Sequence, residues 1–220
     1  MGKPILALLL TTVTIGSCGA MDPDAGVTTE TRDLPPFSSI ALNGVGTLRI
    51  HRGPQAVSVT MDGALIDRFE TAVKDGKLSL GFECGVGFSY WRAMRRLRRC
   101  DIDVTVPELR GIELNGAGTI SADPIEYDAL SLSVNGAGTV ELRGTATEFS
   151  VRCTGAARIL ARDLAAASVR VGATGSGEVE LRAEDELDAS VTGAGSIAYW
   201  GSPRVSERIS GAGSVHRAGD

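Results

Sequence analysis

From residue 101 to the end of the chain, apolar and polar positions alternate around a glycine turn that keeps returning. Asn115-Gly116-Ala117-Gly118-Thr119 recurs as Asn135-Gly136-Ala137-Gly138-Thr139. It comes back as Thr154-Gly155-Ala156-Ala157, Thr174-Gly175-Ser176-Gly177, Thr192-Gly193-Ala194-Gly195 and Ser210-Gly211-Ala212-Gly213. The first glycines step by 20, 19, 20, 18 and 18 residues, while a further copy, Asn43-Gly44-Val45-Gly46-Thr47, stands apart. One position before each turn lie Leu114, Val134, Cys153, Ala173, Val191 and Ile209. Three before lie Ile112, Leu132, Val151, Val171 and Ala189, a column that breaks at Glu207. Five positions after the turn residue lie Ile120, Val140, Ile159, Val179, Ile197 and Val215. Such alternation on both sides of a turn predicts strands with one buried face. Each unit is too small to bury that face alone, so the units must stack. The expectation is an all-β fold, a β-helix or solenoid of coils about 20 residues long with glycine at the bends.

A chain that turns at the same place on every rung needs positive φ or close backbone approach there, and glycine supplies both. The Asn115, Asn135, Thr154, Thr174, Thr192 and Ser210 column can bond the turn backbone or its own neighbours above and below. A glycine row can also present N–H groups to an anion. Here no helix follows the motif and no phosphate-loop lysine accompanies it, so the structural role is favoured. Ahead of the repeat, Ile40–Ile50, Val57–Met61, Leu78–Phe82 and Ile102–Val106 read as strands, and Leu65–Lys74 suits either a helical turn or a strand.

Composition adds class and location. Glycine supplies 28 of 220 residues, against a usual share of about 7%. A formal charge of −5 and a pI near 5.2 argue against a general nucleic-acid binder. Met1-Gly2-Lys3, the apolar run Ile5–Ile15 and then Ile15-Gly16-Ser17-Cys18 read as a cleaved export signal. Ending on cysteine, it resembles the lipobox of bacterial lipoprotein precursors, which implies a lipid on Cys18. Gly19, in place of aspartate, implies outer-membrane sorting. The organisation expected is signal and lipobox at 1–18, a polar tether at 19–36 and a solenoid domain at 37–216 with an insertion at 83–100.

The insertion holds Trp91, Arg92, Arg95, Arg96, Arg98 and Arg99 in a short basic segment. A helix there would carry an apolar and a basic stripe, suited to anionic lipid, lipopolysaccharide or acidic glycan. The alternative is an exposed hairpin end whose arginines pair with the acidic body of the same molecule. Cys84 and Cys100 flank this segment, and export permits a disulfide between them worth about 3 kcal/mol. A zinc pair is the alternative, without a nearby histidine to complete it. Cys153 falls in the inward column and is expected to be a buried, inert thiol.

Phe37 to Gly46 (F-S-S-I-A-L-N-G-V-G), Asp75 to Leu80 (D-G-K-L-S-L), Asp103 to Leu109 (D-V-T-V-P-E-L) and the serial glycine turns resemble the head GIN domain family of autotransporter adhesins. The ending Ser196 to Val215 resembles it too. The resemblance implies a β-helical domain of the cell envelope, often on a lipoprotein, and carries no catalytic residues with it. Thr154-Gly155-Ala156-Ala157 departs from the pattern by lacking the second glycine. His51 and His216 are far apart, and Glu178, Glu180, Glu184, Asp185 and Glu186 alternate with apolar residues as solvated positions do. No cofactor or metal is expected. The leading reading is a non-catalytic, lipid-anchored envelope protein with a binding or adhesion surface. A polysaccharide-active β-helical enzyme and a self- or partner-assembly module are the alternatives.

Overall fold

The computed structural model describes residues 26–82, 97 and 99–219. In chain order the elements begin with β1 (Val27–Arg32), β2 (Ser39–Gly44), β3 (Thr47–Arg52) and β4 (Ala56–Asp62). A single helical turn, α1 (Gly63–Ile66), leads to β5 (Phe69–Lys74), β6 (Lys77–Phe82) and β7 (Cys100–Val106). Then come β8 (Gly111–Gly116), β9 (Thr119–Ala122), β10 (Ile125–Gly136), β11 (Thr139–Glu141) and β12 (Gly144–Gly155). The chain closes with β13 (Arg158–Gly175), β14 (Glu178–Gly193), β15 (Ser196–Trp200), β16 (Arg204–Gly211) and β17 (Ser214–Gly219). The stretch Leu65–Lys74, open between helix and strand on sequence, is divided: α1 ends at Ile66 and β5 starts at Phe69.

From β8 onward the molecule is a β-solenoid of parallel rungs. Asn115 lies on Asn135, Asn135 on Thr154, Thr154 on Thr174, Thr174 on Thr192 and Thr192 on Ser210, with the glycine after each in the same register. The alternating columns therefore face one shared interior. Ile112, Leu114, Val134, Val151, Cys153, Val171, Val179, Val191 and Ile197 are all buried. Fully burying one aliphatic side chain of this size is worth about 1.5–3 kcal/mol.

The turns hold the rungs together. Ala117 N–H donates to the Gly44 carbonyl at 2.9 Å, Ala137 N–H to Gly116 at 3.0 Å and Ala156 N–H to Gly136 at 2.9 Å. At this approach there is no room for a side chain: a Cβ on Gly136, whose φ is +140°, would stand 2.1 Å from the Gly116 oxygen. The corner lacking its second glycine is built alike. Ala157 points into the core, and its carbonyl accepts the Glu178 N–H at 2.9 Å.

Three features depart from the sequence reading. First, the separate copy at Asn43 belongs to the same stack, since β2 and β3 lie directly beneath β8 and β9. The coil below them comes later in the chain: β6 pairs with β2, and β7 with β3, both in parallel. Residues Pro107 to Arg110 must then cross the β2–β3 coil before β8 begins, and Arg110 N–H donates to the Ser38 carbonyl at 2.7 Å on the way. Second, part of the expected tether is ordered. The β-branched run Val27-Thr28-Thr29 opens β1, which pairs antiparallel with β4. With β5 antiparallel to β6 and β4 to β7, antiparallel strands cover the lower end of the solenoid. Third, among the described residues no strand covers the upper end in this way, and Val205 and Ile209 on β16 are exposed although they continue the Leu187 and Val191 columns.

The expected Cys84–Cys100 disulfide is also corrected, because Cys100 carries a free thiol. Its side chain points inward from β7 and packs under Gly46, where a Cβ would come within 2.9 Å of the sulfur. A sulfur so placed is turned into the core; Cys84 lies outside the described residues. Burial, with Asp101 next to it, pushes the Cys100 thiol up to about 12, and burial raises Cys153 against an opposing hydrogen bond from the Ala157 backbone.

Three measurements follow. Gly136→Ala combines positive φ with a backbone clash and should cost well over about 3 kcal/mol, whereas Gly76→Ala, at φ +73° with open space, should cost about 1 kcal/mol; denaturant unfolding separates them. With Cys18 and Cys84 replaced by serine, the folded protein should leave a thiol reagent unreacted at pH 8 and yield two thiols on unfolding. Because the unfolded chain releases the Cys100 proton from about pH 9 and the folded chain holds it to about 12, stability should fall across that interval, which pH-dependent melting measures.

Candidate functional site

The outward side chains of the face formed by β8 and the later halves of β10, β12, β13 and β14 are polar, mostly Ser, Thr and Asn, with Glu113, Arg152, Arg170 and Asp188 among them. They build a hydrogen-bonded ladder beside the turns. Asn115 Nδ2 donates to Asn43 Oδ1 and Asn135 Nδ2 to Asn115 Oδ1, both at 2.9 Å, and Asn43 Nδ2 donates to Ser79 Oγ at 3.0 Å. Amides stacked at a rung spacing of about 4.8 Å can each donate downward and accept from above, which fixes register at the bends. The anion-cradle alternative for the turn glycines finds its donors in use at Gly116, Gly118, Gly136, Gly138, Gly155, Gly175, Gly177, Gly193, Gly195 and Gly213, Gly211 on the last turn standing apart. The N–H groups just after those ten glycines are consumed in rung-to-rung bonds, among them Thr139 to Gly118, Ser176 to Gly155, Ala194 to Gly175, Ser196 to Gly177 and Ser214 to Gly195.

The same face holds a groove of about 740 Å³ where the repeat is incomplete. Beginning at Ile125, β10 pairs above with β12, but β8 supports it from below only from Ser131. Among the described residues no strand pairs with the lower edge of Ile125–Ala129. The crossing segment Val106–Arg110 passes there instead and leaves the groove. Ser131 N–H reaches the Arg110 carbonyl at 2.9 Å, which closes one end. Charged side chains on the rim are partly paired, Arg110 with Glu108 at 2.7 Å and Arg52 with Glu126 at 3.8 Å. Leu130 and Phe149, which also line it, are buried. Shallower hollows continue along the face past Ser150, Arg152, Arg170 and Asp188.

Tyr127 is the unusual member. It lines the groove, is 6% exposed, and its hydroxyl is shut off from solvent without a hydrogen-bond partner. Burial, with Asp123 nearby, pushes its phenol up to about 12, so it remains a neutral donor. Leaving a buried hydroxyl unmatched costs about 1–3 kcal/mol. The sequence reading passed over it, yet a signal was present: the residues stacked above it are Ala146, Ala166 and Ala183, so a tyrosine stands in a column of alanines.

Other sequence candidates are distributed differently. Cys18 lies outside the described residues, as do Trp91, Arg92, Arg95, Arg96 and Arg98 of the basic segment. Arg99 is described, and its Nε donates to Asp101, which also receives Arg49 at 3.3 Å. Leu97 packs against the core. The carboxylates clustered near residue 180 are outward, and several face arginines: Glu178 with Arg158 at 2.8 Å, Glu184 with Arg182 at 2.7 Å and Glu186 with Arg204 at 2.5 Å. His51 sits with Asp123 at 2.6 Å on the outer surface, on a different coil from His216. Among the described residues no group of three or more His, Cys, Asp or Glu side chains is placed to hold a metal ion.

Among solved structures, an adhesin-designated protein from Bacteroides fragilis shares 24% identity at a TM-score of 0.70, over 87% of this chain and 96% of that one. A protein from Parabacteroides distasonis titled "putative lipid binding protein" shares 20% at 0.55, over 89% and 98%. An adhesin-designated protein from Parabacteroides merdae shares 20% at 0.53, over 89% and 97%. At these identities the likeness is one of fold. No curated protein matches the sequence. The family described as "putative auto-transporter adhesin, head GIN domain" matches residues 36–203, nearly the whole of the solenoid, and the chain belongs to that family.

Proposed function

We propose that this chain is a non-catalytic cell-envelope protein, held to a membrane by lipid on Cys18, whose solenoid presents its grooved face for adhesion-type binding. The observation that carries the reading is the groove. A depression lined by both polar and apolar side chains opens on the outside of a scaffold whose interior is filled by aliphatic columns. Membership of an adhesin-described family supports it, and so do the arginine partners of the carboxylates near residue 180. A glycosidase needs two carboxyl groups facing each other across a bound sugar with divergent acidities. Glu178, Glu184 and Glu186 instead sit outward on separate stretches of β14, each beside an arginine. Lipid on Cys18 accounts for the lipobox-like Ile15-Gly16-Ser17-Cys18, and Gly19 fits sorting to the outer membrane.

The anchor is tested by fractionation in a bacterial host. The full chain should sediment with membranes and Cys18→Ser should move most of it to the soluble fraction, since losing the acyl chains removes about 0.8 kcal/mol per buried CH₂. Variant protein that still sediments with membranes would overturn the anchor. The non-catalytic reading predicts no unsaturated or reducing-end product from a panel of acidic and neutral polysaccharides; product that grows with enzyme concentration would favour the polysaccharide-active alternative.

A further inference from the structure

We propose that the hollow over Gly172 binds a phosphomonoester dianion between Arg152 and Arg170; this rests on the binding reading above and names a ligand class for the same face. The hollow, of about 400 Å³, lies beyond the groove and holds a glycine that the fold does not require. Gly172 sits in the interior of β13, where a Cβ would meet nothing within 4 Å. It lacks the positive φ of Gly155 and Gly175, and β13 is paired there in unbroken register, to Arg152 below and Ser190 above. Glycine weakens a strand interior. Where neither backbone conformation, packing nor a bulge calls for it, the use left is close approach by another molecule.

Around that gap the charge is uncompensated. Many arginines of the solenoid stand beside carboxylates, as Arg110 does with Glu108, Arg143 with Glu141, Arg158 with Glu178 and Arg182 with Glu184. Arg152 and Arg170 have no such partner among the described residues. Asp188 lies directly above Arg170 in register, yet its carboxylate receives Arg208 at 3.3 Å. Arg152, Arg170 and Arg208 line the hollow with Asp188, and three positive charges against one negative leave two positive. Arg152 stands one rung below Gly172, about 4.8 Å along the sheet, and Arg170 two residues before it on the same face, about 6.6 Å away. Both guanidinium groups can therefore close over a ligand resting on the glycine, with the hydroxyls of Ser190 above it and Ser150 below Arg170 as further donors.

Two charges with donors on several sides select among ligands. An acyl chain or an uncharged peptide strand would cover both guanidinium groups without a counter-charge. A carboxylate carries one charge and is matched by the fork of a single guanidinium, while phosphodiesters and sulfate esters also carry one. A phosphomonoester carries nearly two at neutral pH and presents three acceptor oxygens, enough for both forks and a hydroxyl.

The test uses the full chain in detergent micelles at constant ionic strength. Methyl phosphate, dimethyl phosphate, methyl sulfate and acetate are titrated, with binding read by calorimetry and, for the phosphates, by phosphorus NMR. Methyl phosphate should bind about ten-fold more tightly than each of the others. Its affinity should rise several-fold from about pH 5 to about pH 7.5, as the ester loses its second proton near about pH 6. Arg152→Gln and Arg170→Gln should each weaken it about ten-fold at unchanged melting temperature. Gly172→Val should weaken it at least as much while leaving the melting temperature equal or higher, because the side chain fills open space on a strand. Glucose 1-phosphate and dihexanoyl phosphatidic acid carry the same group on a sugar and on a lipid, and the tighter of the two names its bearer. Absence of methyl phosphate binding, equal binding of the singly charged probes, indifference to the three variants, or a lowered melting temperature for Gly172→Val overturns the assignment. Retention of vesicles bearing the lipid-anchored chain on isolated envelope material separates the two levels: retention without methyl phosphate binding sinks the ligand class alone, and loss of retention sinks the adhesion reading.

Discussion

The whole molecule depends on one repeated contact, the hydrogen bond from the amide after the turn glycine to the carbonyl of the glycine one rung below, made after Gly116, Gly136, Gly155, Gly175 and Gly193. It exists only because the backbones approach to within a distance no Cβ tolerates, as at Gly116 and Gly136. Once that contact is made the register of the next strand is set, and a one-residue slip would turn its aliphatic column to solvent. The interior then follows automatically. Val134, Val151 and Val171 meet because Gly136, Gly155 and Gly175 meet. The Asn43, Asn115 and Asn135 ladder reinforces the same bend from outside, so turn chemistry and core packing select one arrangement together.

A stack fixed in this way has two ends, and this chain treats them differently. Below, the path leaves the spiral: β4 and β5 return antiparallel, β1 covers β4, and Phe69 packs edge-on against Phe82 at 5.1 Å between ring centroids. Antiparallel cover removes the open edge that invites further strands. Above, the inward columns run on into β16, and among the described residues no further rung lies on it. Glu207 interrupts the apolar column there, in register with Ala189, and Arg204 and Arg208 reach back to Glu186 and Asp188. Charge on a terminal strand is the second common way of blunting an edge.

The repeated part was legible in the sequence because the same local chemistry recurs at a fixed interval, so each copy checks the others. Leu114, Val134, Cys153 and Ala173 could be assigned to one column without coordinates. The spatial order of the first coils was not legible. Whether β6–β7 lies below or above β2–β3 is decided by which parallel edges pair, a contact between segments far apart in sequence. β1 was hidden because its apolar content is one valine among polar residues; only the β-branched threonines hinted at a strand. Cys100 was misread because flanking an insertion said nothing of which side of β7 its sulfur would take. The alternation Cys100, Ile102, Val104, Val106 settles it, each of the four buried. The groove lay further from reach, since it is defined by the place where a strand stops short.

That origin explains why a groove can coexist with so regular a scaffold. In a complete solenoid every backbone group along a rung is used by its neighbours, and the outer faces offer only side chains. A binding concavity with free backbone requires a missing piece of rung. The crossing of Pro107 to Arg110 creates it as a by-product of the unusual coil order, because a segment travelling between rungs cannot also lie along one. Tyr127 sits at that gap and departs from the alanines stacked above it, filling width that an absent strand leaves open while its hydroxyl stays unmatched. The irregular start of the fold and the unsatisfied phenol therefore have one cause, and only the rungs immediately above, which supply Phe149, Ser150 and Arg170 to the lining, share in shaping the groove.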